Sequence, residues 1–189
     1  KRQGLASAYA AAKNGARVIL AEDKPRFGGS LLTSDVNIGN QTGVEWTEKI
    51  IAELKSMPNV TVKNRSQVFG YYDHNMLVMS ERISDHLPKT QKYLPKQRLW
   101  YIRANEVLIS SGSIERPLVF GNNDTPGVML SSAAKEYMKV YGVLVGKKPL
   151  IFTNNDSGYE TAIEFKKNGV NPIILDTRRN PSSENQTEA

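Results

Sequence analysis

Glu22 and Asp176 hold the most chemical promise in this sequence, because each closes a short apolar segment 18 positions after a glycine, Gly4 in one case and Gly158 in the other. A carboxylate at that point can accept hydrogen bonds from the hydroxyls of an adenine ribose, while the glycine lets a helix N-terminus approach a pyrophosphate closely. The helix end suits phosphate because its unpaired N–H groups and its dipole favour negative charge. The two copies register at one offset: Lys13-Asn14-Gly15 matches Lys167-Asn168-Gly169, Gly4 matches Gly158, and Glu22 matches Asp176, all 154 residues apart. An acid at Glu22 disfavours a ribose 2′-phosphate, so NAD or FAD is expected there before NADP. Asp176 is followed by Thr177-Arg178-Arg179, which leaves the preference of the second copy open. Neither copy carries a full G-x-G-x-x-G loop: Thr153 and Asn155 stand at the other two positions before Gly158, and Lys1-Arg2-Gln3 precedes Gly4.

The elements that must position these residues follow from composition and period. Gly4 to Lys13 is alanine-rich and helix-forming, and Asn14-Gly15 stops it. Ala16 to Ala21 reads as a buried strand, and Pro25 to Gly29 as a glycine turn leading away from it. Trp46 to Met57 has apolar residues at Trp46, Ile50, Ile51 and Leu54, the spacing of an amphipathic helix. Strands are expected at Val60 to Val62 and Gln67 to Tyr72, with antiparallel ones at Met76 to Met79 and Leu99 to Ile102. Val107-Leu108-Ile109 reads as a further strand running into Ser110-Ser111-Gly112. A loop over 113–127 and a helix from Ser132 to Tyr141 follow. Strand, turn, helix and strand then recur between Pro149 and Leu175. The fold class is α/β, a Rossmann-like FAD/NAD(P)-binding fold with a β-rich insert, truncated at both ends. Residues 1–145 form a dinucleotide-binding domain lacking its first strand, with a β-meander near 60–112. Residues 146–179 begin a second nucleotide-binding unit, and 180–189 are a polar tail expected to be disordered.

Bulk properties narrow the function classes. With 39% hydrophobic and 23% charged residues, the composition is that of a globular protein. No apolar run approaches the roughly 20 residues a membrane helix needs, and the first residues run into a small-residue helix pattern without the apolar region of a secretory leader, so none is expected. A cytoplasmic protein is expected. The absence of cysteine removes thiolate nucleophiles and redox-active cysteine pairs from this segment. The net charge of +6 invites a nucleic-acid reading, but the basic residues are dispersed and the densest run, Lys89 to Arg98, lacks a recognition-helix or RNP pattern. No nucleic-acid or membrane partner and no metal site are expected. His74 and His86 each follow an aspartate, but strand neighbours point to opposite faces, so turn or partner-contact roles are favoured over Asp–His dyads. Tyr71, Tyr72 and Trp46 read as core or interface aromatics.

Several longer segments carry a family resemblance. They are Asn14 to Glu22 with Arg26 to Leu32, Val68 to Asn75, Ile114 to Phe120, Asn122 to Leu130, and Phe152 to Asp156. Over these segments the sequence resembles the alpha subunit of heterotetrameric sarcosine oxidase, from Gly4 to about Arg179. The resemblance implies the dinucleotide-binding part of a longer subunit that carries NAD and sits with beta, gamma and delta type subunits. In that family the complex oxidatively demethylates sarcosine to glycine; FAD lies in the beta subunit, FMN at the alpha/beta boundary. It implies that Gly4, Glu22 and Asp23, then Arg26, Gly28, Gly29 and Ser30, line the cofactor. Val68 lies by the adenine, and Ser111, Gly112 and Ser113 approach the pyrophosphate. Asn154, Asn155 and Asp156 form the loop of the second copy. No catalytic residue is expected in the segment. Lys1-Arg2-Gln3 and Ser111-Gly112-Ser113 depart from the family's glycine loop and its Thr-Gly-Ala. Two other readings stay open: a related amine or amino-acid dehydrogenase subunit, and a degenerate scaffold that binds no cofactor.

Overall fold

In a computed structural model that describes residues 2–89 and 92–179, the chain forms two compact units, Lys1–Gly112 and Ser113–Ala189. The first unit opens with helix α1 (Arg2–Lys13) and strand β1 (Val18–Ala21). A single 3-10 turn at Gly29–Leu32 and the short hairpin β2 (Asn37–Ile38) and β3 (Gln41–Thr42) lead into helix α2 (Gly43–Ser56). Strand β4 (Val60–Lys63) runs parallel to β1, with Val18 opposite Val60 and Ala21 opposite Lys63. Leu5, Ala8 and Ala12 of α1 meet Ile50 and Leu54 of α2, and the two strands add Val18, Leu20, Val60 and Val62. This is the helix and sheet layering of a nucleotide-binding α/β unit.

Helix α2 begins three residues before the apolar periodicity. Thr42 and Glu45 form a capping box: the Glu45 N–H donates to Thr42 Oγ1 at 3.2 Å, and the Thr42 N–H donates to Glu45 Oε2 at 2.8 Å. That pairing satisfies N–H groups that the first turn would leave unpaired. The helix ends before Met57, which is held extended by the proline that follows it.

The insert is a meander of β5 (Ser66–Tyr72), β6 (Met76–Arg82) and β7 (Gln97–Arg103), antiparallel throughout as the sequence predicts. A bulge falls between Val68 and Gly70. The β5 to β6 turn places His74 and Asn75 at φ values of 58° and 51°, the paired left-handed conformation that suits strand twist. His74 is thus a turn residue. Residues 107–109 form no strand, contrary to the sequence expectation. An apolar run becomes a strand only where a neighbour completes its ladder, and among the described residues this segment has no such partner. Leu108 and Ile109 are instead exposed.

The second unit holds helix α3 (Ser131–Tyr141), strand β8 (Leu150–Thr153), helix α4 (Ser157–Lys167) and strand β9 (Ile173–Asp176). Strands β8 and β9 are parallel, with Thr153 opposite Asp176. Ala134 and Met138 of α3 pack with Ile151, Ala162 and Phe165, so helix 131–141 belongs to this core. The carboxylate of Glu115 accepts the N–H groups of Ser131 and Ser132, the latter at 2.7 Å, and caps α3 from the preceding loop. The polar tail over 180–189 lies outside the described residues.

The repeat seen in the sequence is also a repeat of structure. Asn14 donates its side-chain amide to the carbonyl of Ala10 at 2.8 Å, and Asn168 does the same to Glu164 at 2.8 Å. Gly15 and Gly169 follow with φ values of 83° and 76°, the left-handed exit that glycine favours.

Candidate functional site

Glu22 follows β1 directly and is buried. Its N–H donates to the Lys63 carbonyl at 2.9 Å and its carbonyl accepts from the Ser66 N–H at 2.8 Å. The strand end is therefore stitched to the β4 to β5 turn, which fixes the acid at the C-terminal end of a parallel pair. That is where α/β sheets bind ligands. Oε1 of Glu22 accepts the Lys24 N–H at 3.3 Å, an acid to i+2 turn that orients the carboxylate.

The residues from Asp23 to Ser30 wrap beyond this strand end. Asp23 is exposed, and its carbonyl accepts from the Arg82 guanidinium at 2.9 Å. Arg26 lies 3.3 Å from Glu48 of α2, both side chains being more than half exposed, so the pair contributes little to stability. Gly28 is buried with φ at 120°, and a Cβ there would meet Leu32 at 3.1 Å and Thr47 at 3.3 Å. Gly29 and Ser30 open the 3-10 turn, which packs against α1.

Gly4 lies in the first turn of α1, and a Cβ on it would stand 2.8 Å from that of Ser110. The segment leading to Ser111 and Gly112 thus passes against the start of α1, as the glycine at that position permits. Val68 lies two residues beyond Ser66 on the same strand and is 42% exposed. The first unit therefore brings Glu22 to Ser30 into one loop, sets Gly4 beside Ser110, and leaves Val68 on the adjoining meander. Ser113, Asn154, Asn155 and Asp156 belong to the second unit.

In that unit, the loop from β8 to α4 is closed by its own side chains. Thr153 Oγ1 accepts the Asn155 N–H at 3.2 Å, and Asn155 Oδ1 accepts the Ser157 N–H at 3.0 Å. Gly158 is buried against the strand, where a Cβ would lie 2.7 Å from that of Thr153. This is the close helix-to-strand packing served by the last glycine of the dinucleotide fingerprint. Asp176, at the end of β9, receives Arg178 Nε at 3.1 and 3.2 Å, Arg178 Nη2 at 2.8 Å, and the Tyr159 hydroxyl at 3.0 Å. The Arg178 guanidinium holds the Asp176 carboxyl well below its ordinary value. Burial and the same carboxylate push the Tyr159 phenol up. Sequence reasoning names Arg178 only as bearing on the cofactor preference of the second copy and does not single out Tyr159; the signal that could have tied Arg178 to Asp176 is its place at the repeat offset from Lys24.

Beside the first unit's strand end, Glu81 of β6 gathers Lys63 at 2.8 Å and the Trp100 indole N–H at 2.7 Å. The Lys63 ammonium and the Arg98 guanidinium lie 5.0 and 5.6 Å from the Trp100 ring, within cation–π range. Trp46 packs partly buried on the first core, whereas Tyr71 and Tyr72 are exposed on the meander. His86 Nδ1 is 3.6 Å from Asp85 Oδ1. The expected separation to opposite faces fails because both residues lie in a turn and not in a strand.

No protein-family profile matches the chain. It is 44% identical over 176 residues to the sarcosine oxidase alpha subunit of Rhizobium meliloti (strain 1021), the alignment covering 93% of this chain and 18% of the relative. It is 36% identical over 182 residues to the sarcosine oxidase alpha subunit of Corynebacterium sp. (strain P-1), covering 95% and 19%. An opine oxidase subunit of Agrobacterium tumefaciens (strain Ach5) is 25% identical over 191 residues, covering 94% and 35%. The crystal structure of L-proline dehydrogenase from P.horikoshii superposes with a TM-score of 0.72 at 21% identity, over 96% of this chain and 35% of that one. This likeness bears out the α/β fold class. No helix among the described residues is long and apolar enough to cross a membrane. The chain spans less than a fifth of the length of the sarcosine oxidase alpha subunits it matches, and along nearly all of its own length it is homologous to one segment of that family, as its motifs imply.

Proposed function

We propose that this chain is the dinucleotide-holding segment of a sarcosine-oxidase-like alpha subunit, an oxidoreductase component acting on amine donors, and that its first unit binds NAD. The observation that carries the reading is Glu22: a buried carboxylate fixed at the C-terminal end of β1, beside a parallel partner strand and ahead of a glycine turn. Glu22 would accept the adenine ribose hydroxyls, Gly4 and the Ser111-Gly112 segment would admit the pyrophosphate, and Arg26 to Ser30 with Val68 would border the adenosine. A bound NAD supplies a hydride-accepting nicotinamide; the residues of this chain hold and orient its adenosine end. The segment binds without catalysing. In the whole protein the reaction is the oxidative demethylation of sarcosine, carried by FAD or FMN in a cytoplasmic assembly with beta, gamma and delta type subunits. Isothermal titration of the purified protein with NAD, NADP and FAD tests the reading: saturable binding of NAD in preference to NADP is expected, and no binding of any of the three would sink it.

A second reading places the chain in a related amine or amino-acid dehydrogenase subunit. It is favoured by the likeness in fold to an L-proline dehydrogenase and by the alignment with an opine oxidase subunit. Turnover of the whole assembly on sarcosine, proline and opines separates the two: sarcosine as the preferred substrate supports the first, proline or an opine the second.

A further inference from the structure

The two copies of the nucleotide-type unit differ where each would touch its ligand. At the offset that aligns Glu22 with Asp176, Arg2 aligns with Asp156, Leu5 with Tyr159 and Lys24 with Arg178. The turn after each acid is the same, since the N–H of Lys24 donates to Glu22 and that of Arg178 donates to Asp176, the latter at 2.9 Å. The side chains are not equivalent. Leu5 brings no hydroxyl toward Glu22, whereas Tyr159 donates to Asp176.

We propose that the second unit is a nucleotide-binding fold locked from within, in which Arg178, held between Asp176 and Asp156, fills the ribose corner and no dinucleotide binds. Three observations carry this. The first concerns acceptors: both oxygens of Asp176 are taken by Arg178 and Tyr159, so a ribose diol would have to displace a fork-shaped ion pair that is already satisfied. The second concerns donors. In an open glycine loop the backbone N–H groups ahead of the helix face the pyrophosphate. Here those of Asn155 and Ser157 are given to Thr153 Oγ1 and Asn155 Oδ1.

The third concerns charge. Asp156 stands just before α4, where the first copy has Arg2, and its carboxylate lies 2.9 Å from Arg178 Nη2. A pyrophosphate at that helix end would meet an anion, and the cation at that corner, Arg178, is already shared by two carboxylates. The same sharing argues against Arg178 as a receptor for a ribose 2′-phosphate. Asn155, Asp156 and Asp176 thus hold the fold of the second unit together, and this assignment goes beyond the function proposed for the first.

Photolabelling the purified protein with an azidoadenine analogue of NAD, followed by peptide mapping, tests the lock. Label within residues 150–179 is expected to be at least about tenfold weaker than within residues 18–72, a difference of about 1.4 kcal/mol in binding. Comparable or stronger label in residues 150–179 would overturn the proposal. Absence of label from both units agrees with the lock and sinks the function proposed for the first unit, so the two failures are distinguishable. The variant Arg178→Met provides a second readout: NAD affinity is expected to stay within about twofold of the parent protein, because Arg178 is engaged by protein carboxylates and not by the nucleotide. A tenfold or greater loss of affinity in a variant with unchanged circular dichroism would show that Arg178 contacts the nucleotide, and would overturn the proposal.

Discussion

Thr153 closes over Gly158 so tightly that a β-carbon on the glycine would stand 2.7 Å from that of the threonine. Helix α4 therefore lies on strand β8 at a distance that only glycine permits. Gly158→Ala is expected to cost about 1–3 kcal/mol, the usual range for forcing a methyl group into a filled space. Urea unfolding checks this, and Thr153→Gly in the same chain should return part of the loss.

Glu22 offers the most direct test of the first unit. Replacing it with Gln keeps the size and removes the charge that a ribose diol would use. NAD affinity is expected to fall by about tenfold to a hundredfold, the equivalent of a lost charge-assisted hydrogen bond. Preference for NAD over NADP should narrow at the same time, because the acid no longer repels a 2′-phosphate. Calorimetric titration with both nucleotides measures the two effects.

Gly28 carries a backbone that other residues rarely adopt. With φ at 120° and Leu32 and Thr47 in the way, Gly28→Ala should destabilise the first unit by about 1–3 kcal/mol. Thermal unfolding followed by circular dichroism reports it, and Gly39→Ala is a useful contrast. Gly39 also has a positive φ, but a β-carbon there meets nothing within 4 Å, so its cost should be smaller.

Glu81 makes stability depend on acid. Burial pushes its carboxyl up, but the hydrogen bonds from Lys63 and Trp100 and the charges of Lys63 and Arg98 outweigh that and hold it below the ordinary 4.5. A lowered native value means that its contribution is present in full above pH 4.5 and is lost as pH falls through the native value. Melting temperature measured across the acid range should drop in that window, and Glu81→Gln should flatten this part of the curve.

Glu115 caps α3 from outside the helix. Glu115→Ala should cost about 1 kcal/mol, as other N-cap losses do. Hydrogen exchange of Ser131 and Ser132 should accelerate in the variant.

The helices and most strands are legible in the sequence because their signals are local: alanine and Asn-Gly define α1, and alternation defines the meander. The exceptions have physical causes. The start of α2 escapes the apolar spacing because that spacing marks a buried face, whereas the helix is initiated by the polar pair Thr42 and Glu45. Val107 to Ile109 resembles a strand because apolar runs do so regardless of whether a partner is present. At the site, the glycine to acid spacing points to Glu22 and Asp176. What surrounds each acid is not readable, since Tyr159 reaches Asp176 through the packing of α4 on β9. Arg178 is visible as a residue, but its commitment to two carboxylates is a matter of three-dimensional placement.

The bulge at Val68 to Gly70 has a consequence for how this chain tolerates changes of length. Phe69 is the extra residue against an otherwise regular β6, and side chains alternate face along a strand. Deleting it would make Val68 and Gly70 neighbours opposite Met79 and Val78, which closes the ladder into regular alternation, so Ser66 would keep its place opposite Glu81 and its N–H would still reach the carbonyl of Glu22. The meander can thus lose one residue at the bulge without displacing Glu22, whereas a deletion elsewhere in β5 would shift the register against β6.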